Sequence, residues 1–450
     1  MSAFVKTYSL PAGRDRIFFI LTALFLITLF IPHIQAVNSI CIGAMFVYSF
    51  FVNTLREKWA LLKERKAVQL MLAFFLLHII SACFSNNSKE GWELVVLRLP
   101  LLLFPATFGL IVVGEHLKRR LLLTFAVIIS LVALVCMALS VHQYFTTGQA
   151  YFLYSNDLSK WVDKQSTYMA SFVNVAIFCF IYLLRDIRFT LPRQILIYIS
   201  IAVLTAFMFL LASRMALVAF AACALLYLGY VIIKNRSWIM ALGVSGVLVA
   251  AFFVLSSFFP KTINRFTELK YTSYEFSNVA PESNYNYEFD ASQWNGANIR
   301  MAIWHCGWQL AGENLLTGTG LGDKKSDLVN VYKRNNFIFG YTDQRNLHNT
   351  YLDVLVAFGV FGLALFLLAY FVLPLWGAVR SRDLLGFFIL IELMWQLLPE
   401  SYLDRSVGCM EMTFFIALTE GWRKVKQQPA AIVVPIKTSE KRKAIATASV

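Results

Sequence analysis

Leu347-His348-Asn349-Thr350-Tyr351-Leu352-Asp353 runs straight into Val354-Leu355-Val356-Ala357-Phe358-Gly359-Val360-Phe361-Gly362, and the apolar stretch continues to about residue 377. A polar segment carrying an imidazole, an amide and a carboxylate therefore ends where a run long enough to cross a hydrocarbon core of ~30 Å begins. The same pattern holds on both sides of this junction. Across all 450 residues, 58% are hydrophobic, 40 are Phe, and the mean hydropathy is +0.63. A soluble domain is about 45–50% apolar. The expected class is an all-α, polytopic membrane protein.

Twelve apolar runs are candidate spans: roughly 16–31, 34–52, 68–82, 93–114, 119–141, 166–184, 193–211, 214–233, 238–258, 350–377, 384–398 and 406–420. The first follows Arg14 and Arg16 with no small-residue cleavage site after it, which marks a span rather than a cleaved leader. The expected organisation is spans one to nine over 1–258, a large periplasmic loop with short helices over 259–349, and spans ten to twelve over 350–422. A basic disordered tail covers 423–450.

Orientation follows from the basic residues of the short loops. One set holds Arg56, Lys58, Lys63, Arg65 and Lys66, then Lys118, Arg119 and Arg120, then Arg185, Arg188 and Arg193, with Lys234, Arg236, Arg380 and Arg382 further on. The alternate loops hold only Lys89, Lys160, Lys164, Arg214 and Arg405. Both termini are thus expected in the cytoplasm and the long loop on the opposite, periplasmic side. The net charge of +14 is a topology signal plus a basic tail facing membrane lipids. The loop from Pro260 to Asn349 carries nine Lys/Arg against nine Asp/Glu, which argues against a polyanion trap and against nucleic-acid binding. The seven cysteines lie mostly in apolar runs without CxxC spacing, so no metal site or disulfide framework is expected.

The candidate chemistry gathers on the outer side. Arg98 lies one or two turns into a span, in Trp92-Glu93-Leu94-Val95-Val96-Leu97-Arg98-Leu99-Pro100, with Pro105 following; prolines there break a helix, as happens where spans line a cavity. Arg214 is the one charge between two apolar runs. Arg300 and Trp304 share a helical face at i, i+4. His348 stands at the membrane boundary, where imidazole exchanges protons near neutral pH. Glu400, Asp404 and Arg405 occupy the last outer turn. The competing interpretations are ordinary: snorkelling or interfacial arginines, a polar helix start at His348, a solvated turn at Glu400. Gly318-x-Gly320-x-Gly322 follows no strand and lies outside the cytoplasm, so it is a turn rather than a nucleotide loop. Asp323 and Asp327 at i, i+4 are a weak cation candidate, and no metal or other cofactor is expected.

Arginine forks suit phosphate oxygens, and a neighbouring histidine suits proton removal from an attacking hydroxyl. Together they fit a polyprenyl-pyrophosphate-linked glycan at the membrane surface, with arginines opposing the charge that develops on the leaving pyrophosphate.

These residues resemble the O-antigen ligase and polymerase superfamily of bacterial envelope enzymes. The sharpest likeness is His348-Asn349, nine residues, then Gly359-Val360-Phe361-Gly362. Ser213-Arg214, Asn298-x-Arg300 with Trp304, the Gly318–Gly322 stretch and Arg98-Leu99-Pro100 are similar to further landmarks. The resemblance implies an inverting, metal-independent glycosyltransferase of the bacterial inner membrane with undecaprenyl-pyrophosphate glycan as donor. It implies His348 as general base and Arg214 and Arg300 as pyrophosphate contacts; Arg98 is added from its depth. Asn349, Trp304, Glu400 and Asp353 are the expected supporting residues. The polymerases' arginine, ten residues, glycine motif is missing at Arg300, Arg334 and Arg345, which favours a ligase acting on a glycolipid acceptor such as lipid A-core. A polymerase, a protein O-oligosaccharyltransferase, a lipid-linked glycan transporter and a scaffold without chemistry are the alternatives. A transporter would be expected to show two related halves and midplane polar residues, and no half-repeat is visible.

Overall fold

The computed structural model describes residues 12–235, 246, 266, 268–283 and 293–423. Among them the chain is helical, and the single β contact is an isolated bridge between Glu282 and Trp294. In chain order come α1 (Ala12–Thr28), α2 (Gln35–Ser49), α3 (Leu55–Glu64), α4 (Lys66–Phe84), α5 (Ser88–Leu97) and α6 (Pro100–Phe108). They are followed by α7 (Glu115–Thr147), α8 (Ser155–Ser159), α9 (Ser166–Asp186), α10 (Leu191–Leu211) and α11 (Arg214–Asn235). The polar region supplies α12 (Gly296–Glu313), α13 (Lys324–Arg334) and α14 (Ile338–Thr342). The last part holds α15 (Thr350–Leu367), α16 (Leu373–Ser381), α17 (Leu384–Gln396) and α18 (Ser406–Trp422), with a π-helical turn at Leu368–Val372 joining α15 to α16.

Six helical segments are long and apolar enough to cross a membrane: α4, α5 with α6, α7, α9, α10, and α15 through α16. They cover six of the twelve expected spans. Runs 16–31, 34–52, 214–233, 384–398 and 406–420 fall on α1, α2, α11, α17 and α18. Among these, α17 has only 13 residues and α18 has 17, short of the ~20 that a perpendicular crossing needs. Nearly all of run 238–258, the tail 424–450 and half of 259–292 lie outside the described residues. The helical class therefore stands, with six such segments among the described residues.

Burial sorts the bundle into an inner and an outer layer. Every residue of α18 from Gly408 to Trp422 is buried, and α9 is buried on nearly all sides. By contrast, α7 and α10 expose stripes such as Val127, Leu131, Leu134 and Ile195, Ile199, as lipid-facing helices do. Where α6 and α18 end, fully buried Arg65 donates to the carbonyls of Phe108, Gly109, Ile111 and Gly421. One guanidinium thereby satisfies carbonyls that a helix C-terminus leaves orphaned and opposes their negative dipole end.

Two interruptions shape the side of the bundle that meets the polar region. The first separates α5 from α6 at Arg98-Leu99, with Pro100 opening the second helix. The second lies inside α15 at Gly359, whose φ of 66° and ψ of −169° are not helical. Its φ is one that a side chain tolerates poorly. The Thr319 and Gly320 N–H groups donate to the carbonyls of Val356 and Ala357, and the Val360 N–H donates to Leu315 O. The broken turn thus exchanges internal hydrogen bonds for bonds to the Leu315–Gly320 segment, which satisfies these groups at membrane depth. A Cβ on Gly359 would strike the Leu316 carbonyl, and one on Gly318, also at positive φ, would strike the Ala357–Phe358 peptide.

The polar region has its own core, formed by Trp294, Ile303, Cys306, Leu310, Tyr332 and Phe337, and it packs onto Leu352 and Val356 of α15. It is a folded cap on the bundle rather than a loose loop. Gly359→Ala should lower stability by about 1–3 kcal/mol, the scale of a residue forced into a glycine-only region. Thermal unfolding in detergent checks this, with Gly312→Ala, where nothing lies near the added methyl group, as the neutral control.

Candidate functional site

Asn349 caps α15: its Oδ1 accepts the Leu352 N–H at 3.0 Å. His348, just before it, is held at a left-handed φ of 44°, a conformation that costs an L-residue roughly 1–2 kcal/mol. That backbone turns the imidazole toward the 398–405 segment, where Nδ1 lies 3.6 Å from Glu400 Oε2. This is ion-pair range for a protonated ring and slightly long for a hydrogen bond.

Arg300 reaches the same carboxylate from the cap. Its helix, α12, starts at a reciprocal cap in which Asn295 Oδ1 accepts the Ala297 and Asn298 N–H groups and Asn298 Oδ1 accepts the Asn295 N–H. One turn on, Arg300 Nη2 donates to Glu400 Oε1 at 3.1 Å, Nη1 to Gly296 O at 2.8 Å and Nε to Pro399 O at 3.2 Å. Three of the five guanidinium N–H groups are thus engaged, leaving two. Trp304, on the same face, donates Nε1–H to Leu347 O at 3.0 Å, bracing the residue before His348. Thr350 Oγ1 donates to the Glu400 carbonyl at 2.6 Å and accepts the Tyr402 N–H, clamping the 398–405 segment to the start of α15.

His348 and Arg300 keep side-chain exposures of 25% each, and Glu400 keeps 12%. Burial pushes the Glu400 carboxyl up, but His348 and the Arg300 charge outweigh it and hold it below the usual carboxylate range. The group therefore has a partly open histidine backed by a carboxylate, with an arginine beside it.

Arg98 and Asp353 belong to a second, closed group. The guanidinium of Arg98 is 0% exposed. It donates to Leu403 O at 2.9 Å, to Asp353 Oδ2 at 3.2 Å, to Asp404 Oδ1 at 3.0 Å and to His78 Nε2 at 3.0 Å. Because Arg98 only donates, His78 Nε2 is an acceptor, which leaves Nδ1–H to donate to Phe74 O at 2.8 Å. Lys324 Nζ completes the group, 2.5 Å from Asp353 and 2.6 Å from Asp404. Two cations face two carboxylates, so the buried charges balance. Burial raises Asp404, but Lys324 and Arg98 outweigh it and keep it below its ordinary range. Arg98 was expected as a phosphate contact; here its donors are turned to protein acceptors and it has no open face.

Arg214 opens α11 two residues after Ala212, itself left-handed at φ 51°, and is half-buried. Lys324 and His78 are members of this group that do not stand among the sequence candidates. The available signal was Arg98 itself, since a charge at membrane depth requires counter-charges. Asp323 accepts the Asn86 and Asn87 backbone N–H groups at 2.8 Å each, tying the cap to the α4–α5 turn. Among the described residues no group of three or more His, Cys, Asp or Glu side chains could hold a metal ion.

A multi-pass helical membrane protein with a folded polar cap and a partly open histidine–carboxylate–arginine group is the class these features define. Residues 199–367, from α10 through the broken helix α15, match the family model described as O-antigen ligase, which places this stretch in the O-antigen ligase superfamily. The matched stretch includes Arg214, Arg300, His348 and Gly359, while Arg98, Glu400 and Asp404 lie outside it. No curated protein matches the chain.

Two outcomes follow. Lys324→Met should cost about 3–5 kcal/mol, the scale for breaking a buried ion pair from one side, seen as a lowered unfolding midpoint in detergent. Glu400 and Asp404 have folded-state values below their unfolded ones. Their stabilisation is complete above the ordinary carboxylate range and is lost as pH falls through the lowered values. Thermal scans over acid pH should show that loss, and Glu400→Gln should flatten its own share of it.

Proposed function

We propose that the chain is a glycosyltransferase of the O-antigen ligase superfamily, moving a glycan from undecaprenyl-pyrophosphate to an acceptor hydroxyl at the periplasmic face of the bacterial inner membrane. The observation that carries this is the pairing of His348 with Glu400 and of Glu400 with Arg300 in a partly open site, within or beside the matched stretch. The positive-inside distribution supports an outward-facing site, cytoplasmic termini, and the cap over 259–349 as the catalytic region.

In this mechanism His348 takes the proton from the acceptor hydroxyl as its oxygen attacks the anomeric carbon. The bond from that carbon to the phosphate oxygen breaks, and the electron pair leaves with the pyrophosphate. Direct displacement inverts the anomeric centre and needs no metal. Glu400 opposes the charge of the imidazolium that forms. The two uncommitted N–H groups of Arg300 and the fork of Arg214 bind the pyrophosphate, stabilising the charge that develops there. Arg98 acts as a positioning residue: with Lys324 it holds Asp404 and Leu403, and through them the turn that carries Glu400. Lipid A-core is the favoured acceptor, on the His348-Asn349, nine residues, Gly359 pattern. Polymerisation and transfer to protein would use the same chemistry with another hydroxyl.

His348→Ala should reduce transfer by ~10²–10⁴-fold, the usual contribution of a general base, while the unfolding midpoint stays near wild type. Undiminished transfer by a folded His348→Ala protein contradicts the role. Arg300→Gln and Arg214→Gln should each weaken donor use, read as a lower kcat/KM for the lipid-linked glycan.

A further inference from the structure

The outward arc of α12 has two edges. On one, His305 and Gln309 are taken up by the cap: Tyr274 Oη lies 3.0 Å from His305 Nδ1, and Asn335 Nδ2 donates to Gln309 Oε1 at 2.7 Å. On the other, Arg300, Trp304, Trp308 and Gly312 follow at four-residue intervals, which stacks them along one face. Trp304 is half-buried above its bond to Leu347 O, while Trp308 is 61% exposed. Open space lies where a side chain on Gly312 would stand. Between Arg300 and Leu316 the one acid, Glu313, pairs with Arg334 of α13.

The far end of this edge meets the membrane-exposed surface. Leu315 and Leu316 are both exposed, although they belong to the polar region. The Val360 N–H donates to Leu315 O at 2.8 Å, and the Leu316 carbonyl lies against Gly359. Both leucines therefore sit beside Val360 and Phe361 of the spanning segment Thr350–Ser381, where Phe361 is 71% exposed. From Arg300 to Glu313 the helix covers about 20 Å at 1.5 Å per residue. An uncharged strip thus joins a partly open guanidinium to a surface that faces lipid, and an exposed apolar patch of this kind marks a binding surface.

We propose that this strip carries the polyprenyl chain of the lipid-linked donor, an inference that rests on the glycosyltransferase reading. The two uncommitted N–H groups of Arg300 take the pyrophosphate at one end. The chain lies over Trp304 and Trp308, passes Gly312, and enters the bilayer between Leu316 and Phe361. A row one side chain wide fits a single chain, whereas a glycolipid acceptor brings several acyl chains together.

The test compares two donors with purified full-length protein in nanodiscs: the glycan on undecaprenyl pyrophosphate, and the same glycan on a chain of two isoprene units, too short to run the strip. Trp308→Ala and Leu316→Ala should each lower kcat/KM for the long-chain donor about tenfold, through KM, the scale of one large apolar side chain's burial. The loss on the short-chain donor should stay within about twofold. Leu131→Ala, on the lipid-facing stripe of α7, should leave both donors at wild-type rates. A second readout needs no turnover: undecaprenyl pyrophosphate bearing a diazirine on its chain should label residues 301–316 of the wild-type protein, and unlabelled undecaprenyl pyrophosphate should displace it where excess phospholipid does not. Unchanged kinetics in both strip variants, equal losses on the two donors, or a raised KM for the acceptor alone overturns the proposal. So does labelling that is absent from 301–316 or displaced by phospholipid, which identifies ordinary bilayer contact. Specific labelling there by a wild-type protein that transfers from neither donor upholds the strip and contradicts the glycosyltransferase reading instead.

Discussion

One ammonium group holds the two halves of this protein together. Lys324 Nζ lies within 2.6 Å of both Asp353, on a spanning helix, and Asp404, on the turn before the last helix. Lys324 itself belongs to the polar cap. The cap's placement over the bundle therefore rests on a charge buried at the seam, with Arg98 and a neutral His78 completing the shell. Such a group adds little net stability over a packed apolar seam, but losing one member strands the others. It sets position: the cap docked this way brings Arg300 to Glu400.

The break at Gly359 is the backbone counterpart of that seam. An unbroken helix would present no free carbonyls to the Leu315–Gly320 segment, and the cap could not reach to membrane depth. The spacing from His348-Asn349 to Gly359 thus has a physical reason. Asn349 starts the helix beside the histidine, and the glycine opens the same helix where the cap hydrogen-bonds to it. One helix thus follows directly on the histidine segment and carries the anchor of the cap around it.

Much of this was legible in the sequence. Apolar runs gave the helical membrane class, Pro100 marked a broken helix, and the i, i+4 spacing of Arg300 and Trp304 put both on the face that meets the histidine segment. Glu400 was visible only as a carboxylate in an outer turn, because its pairing with Arg300 joins residues 100 apart in sequence. Lys324 resembled any solvated lysine at a helix start, since nothing local reveals that a side chain will be buried by a distant carboxylate. Arg98 was recognised as costly at its depth, yet its neighbours were assigned to substrate when the fold itself supplies them. Six of the twelve apolar runs fall on segments long enough to cross among the described residues, whereas inner helices such as α17 and α18 are apolar but shorter.

The central claim is covalent glycan transfer at the His348 site, and product mass tests it most directly. Purified protein in liposomes would be supplied with undecaprenyl-pyrophosphate glycan and candidate acceptors, with and without chelator. The account predicts an acceptor heavier by one glycan, released undecaprenyl-pyrophosphate, and equal yield in chelator. Translocation of the lipid-linked glycan with no change in acceptor mass, or transfer abolished by chelator and restored by a divalent ion, would contradict it.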